Sequence, residues 1–476
     1  MDSNVSSGST SPRHPRGSRA RRYLLICGLL ALAGLLFFSW YVFRTQFPNF
    51  FDREQVDAAE LEKFKVVDLS RGQERGDEPK DWPQFRGANR DGWSPGTNFR
   101  TDWNANPPKV LWSKPCGGGY SSFAAVDGKL YTMDREGANE RIRCLNNAKG
   151  DDLWTHEYAA DYGALKMGYA GGPRATPTIH RDMLYAVGAT GRFHALKLPK
   201  NPADKATVAW QHDLIGDYAA NVPQWGVACS PLVEGDLVIV QPGGKKGSVV
   251  AFDRLTGEQR WTCESEPSGY SSPIAATLGG VRQIVAVTGK SILGIRAATG
   301  ELLWKHPWET QNLGNIAMPV IAGDYVFVSS GYNKGCVTLR IEGETAKVVY
   351  FRPGKLMRNH HSTCVHKDGF LFGFDEIKLS CVNLRDGTAV EDWPTDDVHK
   401  RLGKGSVTLV GDSLLCLSER GTLMLTNTDP KEFQLLGRLD NVLTGSECWA
   451  MPAVVNGKIY LRDATKIVCL DASAQK

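Results

Sequence analysis

The sequence predicts an all-β fold, an eight-bladed β-propeller, with one transmembrane helix ahead of it. Three observations predict it. An uncharged run covers Tyr23–Phe43, a Gly/Asp turn between apolar strands recurs about every 40 to 55 residues, and several units close on a Gly-x-x-x-Trp segment. Fifty glycines beside 13 Trp and 14 Tyr fit many short strands joined by tight turns. The 476 residues would suit two or three ordinary domains, but a single propeller can use a chain of this size.

Charge is placed unevenly. Of 56 basic and 52 acidic side chains, five and one fall in residues 1–22, as Arg13, Arg16, Arg19, Arg21 and Arg22 against Asp2. The rest carries 51 of each, so its overall charge gives no reason to expect nucleic-acid binding. Residues 1–22, rich in Ser, Gly, Pro and Arg, read as a disordered cytoplasmic tail. As a helix rising about 1.5 Å per residue, residues 23–43 would span roughly the 30 Å of a bilayer's hydrocarbon. The arginines ahead of the run keep the N-terminus cytoplasmic, and Trp40 and Tyr41 suit the far interface. A cleaved signal peptide would end its apolar region in a small-residue site, whereas here Ala31, Ala33 and Gly34 run on into Leu35–Phe38. Cys27, with no small residues just ahead of it, does not suit a lipoprotein site. Residues 44–80 read as a linker with a short helix near Glu54–Lys65, holding the 81–476 propeller off the membrane on the periplasmic or an equivalent side.

Within 81–476 each unit opens with small or polar residues and an apolar strand. A turn, a second strand rich in Val, Leu and Tyr, and a third strand such as Val-Val-Ala-Phe follow. The first turns fall at Asp127-Gly128, Arg181-Asp182, Gly235-Asp236, Gly279-Gly280, Gly323-Asp324, Asp368-Gly369, Gly411-Asp412 and Asn456-Gly457. Eight first turns imply eight blades. The end of the unit is sharpest at Ala251–Trp261, where Asp253, Gly257 and Trp261 stand in fixed spacing. Gly150 with Trp154 and Gly300 with Trp304 repeat that spacing. Asp253 can accept turn hydrogen bonds, Gly permits positive φ, and Trp caps the outer strand with a large apolar plate.

These segments resemble the tryptophan-docking motif of pyrroloquinoline-quinone-type propellers, Ala-x-Asp-x-x-x-Gly-x-x-x-Trp. The resemblance covers about residues 81–473, strongest at 251–261. At Asn383…Gly387 the next Trp, Trp393, comes two residues late, and blades two, five and seven lack the motif. Asp81–Gly87 resembles the opening of membrane-linked members of that family. The resemblance implies that each Trp packs between neighbouring blades. Closure is expected at the ends of the chain. The last unit stops after Ile467–Asp471, and an orphan strand, Lys109–Trp112, precedes the first unit and would complete the last blade.

Function is less legible. Of 11 cysteines, ten lie in the propeller, and Cys144, Cys381 and Cys469 share one repeat position whose plain reading is buried packing. Arg358–His366 looks like a metal site, but on a strand His360 and Cys364 would be about 13 Å apart, too far to share one ion. No metal site and no catalytic residue is assigned. The best candidate pocket is the axial funnel where the inner strands begin, carrying Tyr120 with Ser121, Arg174, Trp225, Tyr270, Asn315, His360, Lys404, Glu447 and Trp449. That mixture could hold an anionic, flat or peptide-like ligand, or could be ordinary loop polarity with aromatic packing. Quinone-dependent dehydrogenases of the family imply pyrroloquinoline quinone, calcium and a disulfide between adjacent cysteines. This chain has no Cys-Cys pair and no recognisable calcium triad. The expectation is a membrane-tethered binding or scaffold propeller with envelope protein partners, no nucleic acid and no cofactor, similar to the propeller of outer-membrane assembly complexes. The alternative is a quinone-dependent dehydrogenase of alcohols or sugars.

Overall fold

The computed structural model describes residues 17–46, 52–69, 80–163, 165, 171–201, 204–394, 398, 402–445 and 447–474. Two units divide the chain, Met1–Phe51 and Asp52–Lys476. In the first, Gly17–Gln46 is one helix, beginning six residues ahead of the expected span; residues 1–16 of the expected tail lie outside the described residues. Its described side chains are Ile26 and Leu29–Val42, with Leu29, Leu35, Phe37 and Phe38 exposed. Among the described residues no helix is long and apolar enough to cross a membrane.

The second unit is the expected ring of eight blades. All eight first turns join a first strand to a second, from Ala124–Val126 and Lys129–Glu136 in blade 1 to Ala453–Val455 and Lys458–Arg462 in blade 8. At Asp127-Gly128 and Asn456-Gly457 both residues take positive φ, the backbone a tight two-residue hairpin needs. Second strands are rich in apolar residues because each blade is covered on both faces; Met183–Val187 and Ser413–Ser418 are buried at every position. Outer strands such as Thr207–Asp213 are largely exposed. Lys109–Pro115 pairs antiparallel with Lys466–Asp471 and is the outer strand of blade 8.

The glycine of each docking motif serves the preceding blade's aromatic, not its own. A Cβ on Gly150 would stand 2.5 Å from Trp112, one on Gly257 2.7 Å from Trp210, and one on Gly300 2.7 Å from Trp261. Each of these glycines also has φ between 73 and 78°, so only Gly meets both demands. The indole N–H of Trp112 donates to Asn147 O, Trp210 to Arg254 O and Trp261 to Ala297 O, at 3.1–3.2 Å. Asp253 accepts from Leu255 N and Thr256 N, which set the turn. Blade 2 therefore docks through Trp210, which the one-strand motif had not revealed, and blade 5 through Tyr350, whose hydroxyl donates to Leu384 O at 2.8 Å. Blade 7 has Gly437 on its outer strand, and Trp103 fills the space against it, buried among Leu425, Val468 and Leu470.

Two stretches outside the repeat are part of the folded unit. Within the expected linker, Asp52–Leu69 lies on blade 5: Gln55–Val56 adds a strand against Tyr350–Phe351, and helix Ala58–Lys65 follows. Phe64 is fully buried and stacks on Tyr325 at 3.8 Å, and Leu69 is buried. The apolar residues Phe64 and Leu69 explain why this stretch docks; residues 47–51 and 70–79 lie outside the described residues. The second stretch, Asp81–Arg100, crosses the axis. Trp82 exchanges backbone hydrogen bonds with Ala125 of blade 1, and Pro83 O accepts from Ile179 of blade 2. Arg90 donates to Ser230 O and Pro231 O of blade 3, and Arg86 to Thr363 O and Cys364 O of blade 6. Trp93–Ser94 runs parallel to Leu409–Val410 of blade 7, and Arg100 reaches Asp471 O and Ser473 O after blade 8. Both guanidinium groups are 2 % exposed, and burial pushes their pKa down to about 10.

Candidate functional site: the axial funnel

Residues just ahead of the inner strands converge on the axis because every blade enters from the same face. Hydroxyl groups two residues ahead of these strands knit neighbouring blades. Ser122 N donates to Thr176 Oγ1, Thr176 N to Ser230 Oγ, Ser230 N to Ser272 Oγ, and Met318 N to Thr363 Oγ1, at 2.8–3.1 Å. This belt fixes the radius of the funnel. Its signal in the sequence is a Ser or Thr at one repeat position, which reading for chemistry alone passed over.

Above the belt lies a cavity of about 770 Å³. Tyr120, Arg174, Trp225, Tyr270, His360, Lys404, Glu447 and Trp449 all line it. Ser121 and Asn315 do not. Ser121 is buried and its hydroxyl accepts from Met133 N. Asn315 spends its amide on Thr288 O, Trp308 O, Thr310 Oγ1 and Ser330 Oγ. The wall also includes Phe85, Ile316, Tyr332, His361, Glu419, Arg420 and Met451. Phe85 belongs to the axial stretch, so that stretch floors the funnel. On its other side a second cavity of about 690 Å³, lined by Gln84, Arg90, Glu234 and Asp324, opens among the far ends of the inner strands.

The aromatic wall is continuous. The Arg174 guanidinium lies 4.9 Å from the Tyr120 ring centre, Tyr120 is 5.0 Å from Trp449, and Trp449 4.0 Å from His361. His361 meets His360 at 4.5 Å, which meets Tyr332 at 4.5 Å; Trp225 and Tyr270 pack at 5.3 Å. Arg174 Nε donates to Trp225 O, and Trp449 Nε1 to Glu419 Oε2 at 3.1 Å. His360 Nδ1 is 2.8 Å from Glu376 Oε2. Burial opposes the charge on Glu376, but the hydrogen bond with His360 and the nearby Lys404 and Arg358 keep its pKa below the ordinary carboxylate value. Burial, then the charges of His360, Lys404 and Arg174, drive His361 well below the imidazole value, so it is neutral. Burial lifts the Tyr270 phenol to about 12.

The Arg358–His366 segment divides. His360 and His361 face the funnel, Cys364 is fully buried in a cluster with Met357 and Leu371, and His366 Nε2 accepts from Gly369 N. Among the described residues no three His, Cys, Asp or Glu side chains come together as metal ligands, and the ten cysteines are free. Burial raises the thiols of Cys144, Cys381 and Cys469 to about 12, which makes them inert packing groups.

The family model PQQ_2, Outer membrane protein assembly factor BamB, matches residues 138–350. An Outer membrane protein assembly factor BamB from Kangiella koreensis is 25 % identical over 214 residues, 45 % of this chain and 49 % of that protein. Its namesake from Burkholderia pseudomallei is 25 % identical over 203 residues, 41 % and 45 %. The chain thus spans about half the length of the curated relatives it matches. In fold it is similar to the computationally designed Ika8 protein, with a TM-score of 0.50 and 11 % identity, covering 76 % of this chain and 99 % of that one. The likeness to pyrroloquinoline-quinone-repeat propellers read from Ala251–Trp261 is borne out by the family match.

Proposed function

We propose that this chain is a membrane-anchored, extracytoplasmic binding propeller that holds a protein partner of the cell envelope in its axial funnel and performs no chemistry. One observation carries the reading: eight funnel residues chosen from the repeat line a single cavity whose wall is aromatic and mixed in charge, with His360 paired to Glu376 and Glu419 to Trp449. A catalytic site needs a nucleophile or base free to reach substrate. His360 is held by Glu376, and His361 is stacked on Trp449 with its Nδ1 buried and without a hydrogen-bond partner, so neither is presented with a partner that would draw a proton through it to a substrate. The similarity to assembly factors of the outer membrane supports an assembly or scaffold role in the envelope. The anchor rests on the uncharged run from Tyr23 to Phe43 and the arginines before it.

The quinone-dependent alternative is not favoured by the residues. A calcium site needs several oxygen ligands converging at about 2.4 Å. Asn315 is saturated by its own neighbours, Glu419 is taken by Trp449, and no adjacent cysteines exist to cover a quinone. The test places a photo-crosslinking residue at Tyr332 or Lys404 in the full chain, in membranes of cells that produce it. The expected result is a discrete crosslink to an envelope protein that a surface position such as Leu255 does not give. Equal crosslinking from Leu255, or dye reduction with alcohols after addition of pyrroloquinoline quinone and calcium, would overturn the proposal. Extraction of the protein by carbonate, without detergent, would remove the anchor.

A further inference from the structure

We infer that the funnel takes the carboxylate end of a partner polypeptide with an apolar last side chain. The inference rests on the reading above, that the funnel is the binding site, and adds which part of the partner enters.

Shape gives the first reason. The axial stretch floors the funnel with Phe85, so the cavity is a cup and not a tunnel. A loop would have to enter, turn and leave within one cup. A chain end needs only to enter, and about 770 Å³ has room for a few terminal residues. Phe85 at the floor and Ile316 and Met451 in the lining offer apolar surface to the last side chain.

Charge decides which end. Arg174, Lys404 and Arg420 line the cup against Glu419 and Glu447, and Glu419 already accepts the Trp449 indole N–H. Directly behind the floor lie Arg86 and Arg90. Arg86 donates to four backbone oxygens, and Arg90 to two backbone oxygens and the Gln84 amide oxygen. Those dipoles bond the two guanidinium groups, apart from the buried Arg90 Nε, which has no hydrogen-bond partner, but do not cancel two unit charges, and in a buried setting the residual field extends into the cup. An N-terminal ammonium would be repelled, whereas a terminal carboxylate gains charge-assisted hydrogen bonds.

The probe is N-acetyl-Gly-Gly-Leu-Leu with a free carboxylate, titrated by calorimetry and tryptophan fluorescence into the full chain in detergent. The same peptide as its C-terminal amide, and pyrroloquinoline quinone with calcium, are the comparison ligands. The acid is expected to bind on the order of tenfold tighter than the amide. That preference should shrink at high salt and vanish in Lys404→Gln and in Arg174→Gln, each checked for a native melt. Equal binding of acid and amide, no binding of the acid, or retention of the preference in both variants would overturn the inference. The funnel crosslinks separate the two levels. Crosslinks to an internal segment of a partner sink the chain-end inference while leaving the funnel reading in place. The absence of any funnel-dependent crosslink sinks both.

Discussion

Replacing Arg86 by Met tests whether the axial stretch holds the ring together. The guanidinium donates to Thr363 O at 3.0 Å and Cys364 O at 2.9 Å on blade 6, and to Asp91 O and Arg90 O on its own segment. Methionine keeps the apolar stem and removes every donor. Three buried carbonyls left without partners, those of Arg90, Thr363 and Cys364, cost about 1–3 kcal/mol each, and the half-buried Asp91 O adds little. Against that stands the relief of no longer burying a charge, a burial that lowers the pKa of Arg86 from 12.5 to about 10 and so is worth about 3 kcal/mol. The net expectation is a loss of about 3 kcal/mol, a large share of the 5–15 kcal/mol typical of a folded domain. Arg86→Lys keeps the charge but not the fork, and should fall between wild type and Met. Guanidinium-chloride unfolding of the full chain in detergent, followed by tryptophan fluorescence, would report it as a lowered midpoint at unchanged slope. Equal midpoints for wild type and Arg86→Met would refute the reasoning, because the stretch would then lie on the axis without bracing it.

Other perturbations probe separate joints. Trp103→Ala should cost about 3–5 kcal/mol, since the indole fills the slot beside Gly437 that blade 7 leaves empty; a change below about 1 kcal/mol in the same unfolding assay would contradict that role. Gly257→Ala meets both a φ of 76° and Trp210 at 2.7 Å, so it should lower the melting temperature and red-shift emission as Trp210 is displaced. The blade 5 strap should be acid-labile. Hydrogen bonds from Lys63 and Arg340 hold Glu60 down to about 2, from an ordinary 4.5. A depressed carboxylate stabilises above the unfolded pKa, so strap docking is complete above pH 4.5 and is lost as the pH falls toward 2. Hydrogen exchange over residues 55–66 should accelerate across that window in wild type and become pH-independent, beyond intrinsic exchange, in Glu60→Gln.

Legibility in this chain followed the range of the contact that makes each feature. First turns were visible because a two-residue hairpin is built from its own residues: Asp127-Gly128 and Asn456-Gly457 carry their positive φ with them. The funnel residues were visible because one repeat position maps onto one place in the ring, so counting to the inner strand located Arg174 and Trp449 on the cavity wall. Gly257 and Trp261 look like partners in the sequence because they sit four apart, yet Gly257 seats Trp210 and Trp261 seats on Gly300. A local pattern records that both residues are needed, but not that the contact crosses a blade boundary. The same limit hid Trp103, which repairs blade 7 from more than three hundred positions away in the chain.

The axial stretch was the hardest to read, for a chemical reason. Arg86 and Arg90 beside Gln84 and Asn89 look like a solvated turn, and polar residues in such a run ordinarily are. They are buried because their partners are main-chain carbonyls at the starts of blades 3 and 6, and a carbonyl has no signature in sequence. The arrangement also braces the N-terminal side of the ring. Before Lys109–Pro115 completes blade 8, the preceding residues have already bonded to blades 1, 2, 3, 6 and 7, so the closing strand is delivered from a point braced across the ring. A propeller closed only at its velcro strand can open at one seam. Here the stretch that leads into the closing strand is also held across the ring by Arg86 on blade 6 and Arg90 on blade 3, which ties the funnel floor to the segment that closes the ring.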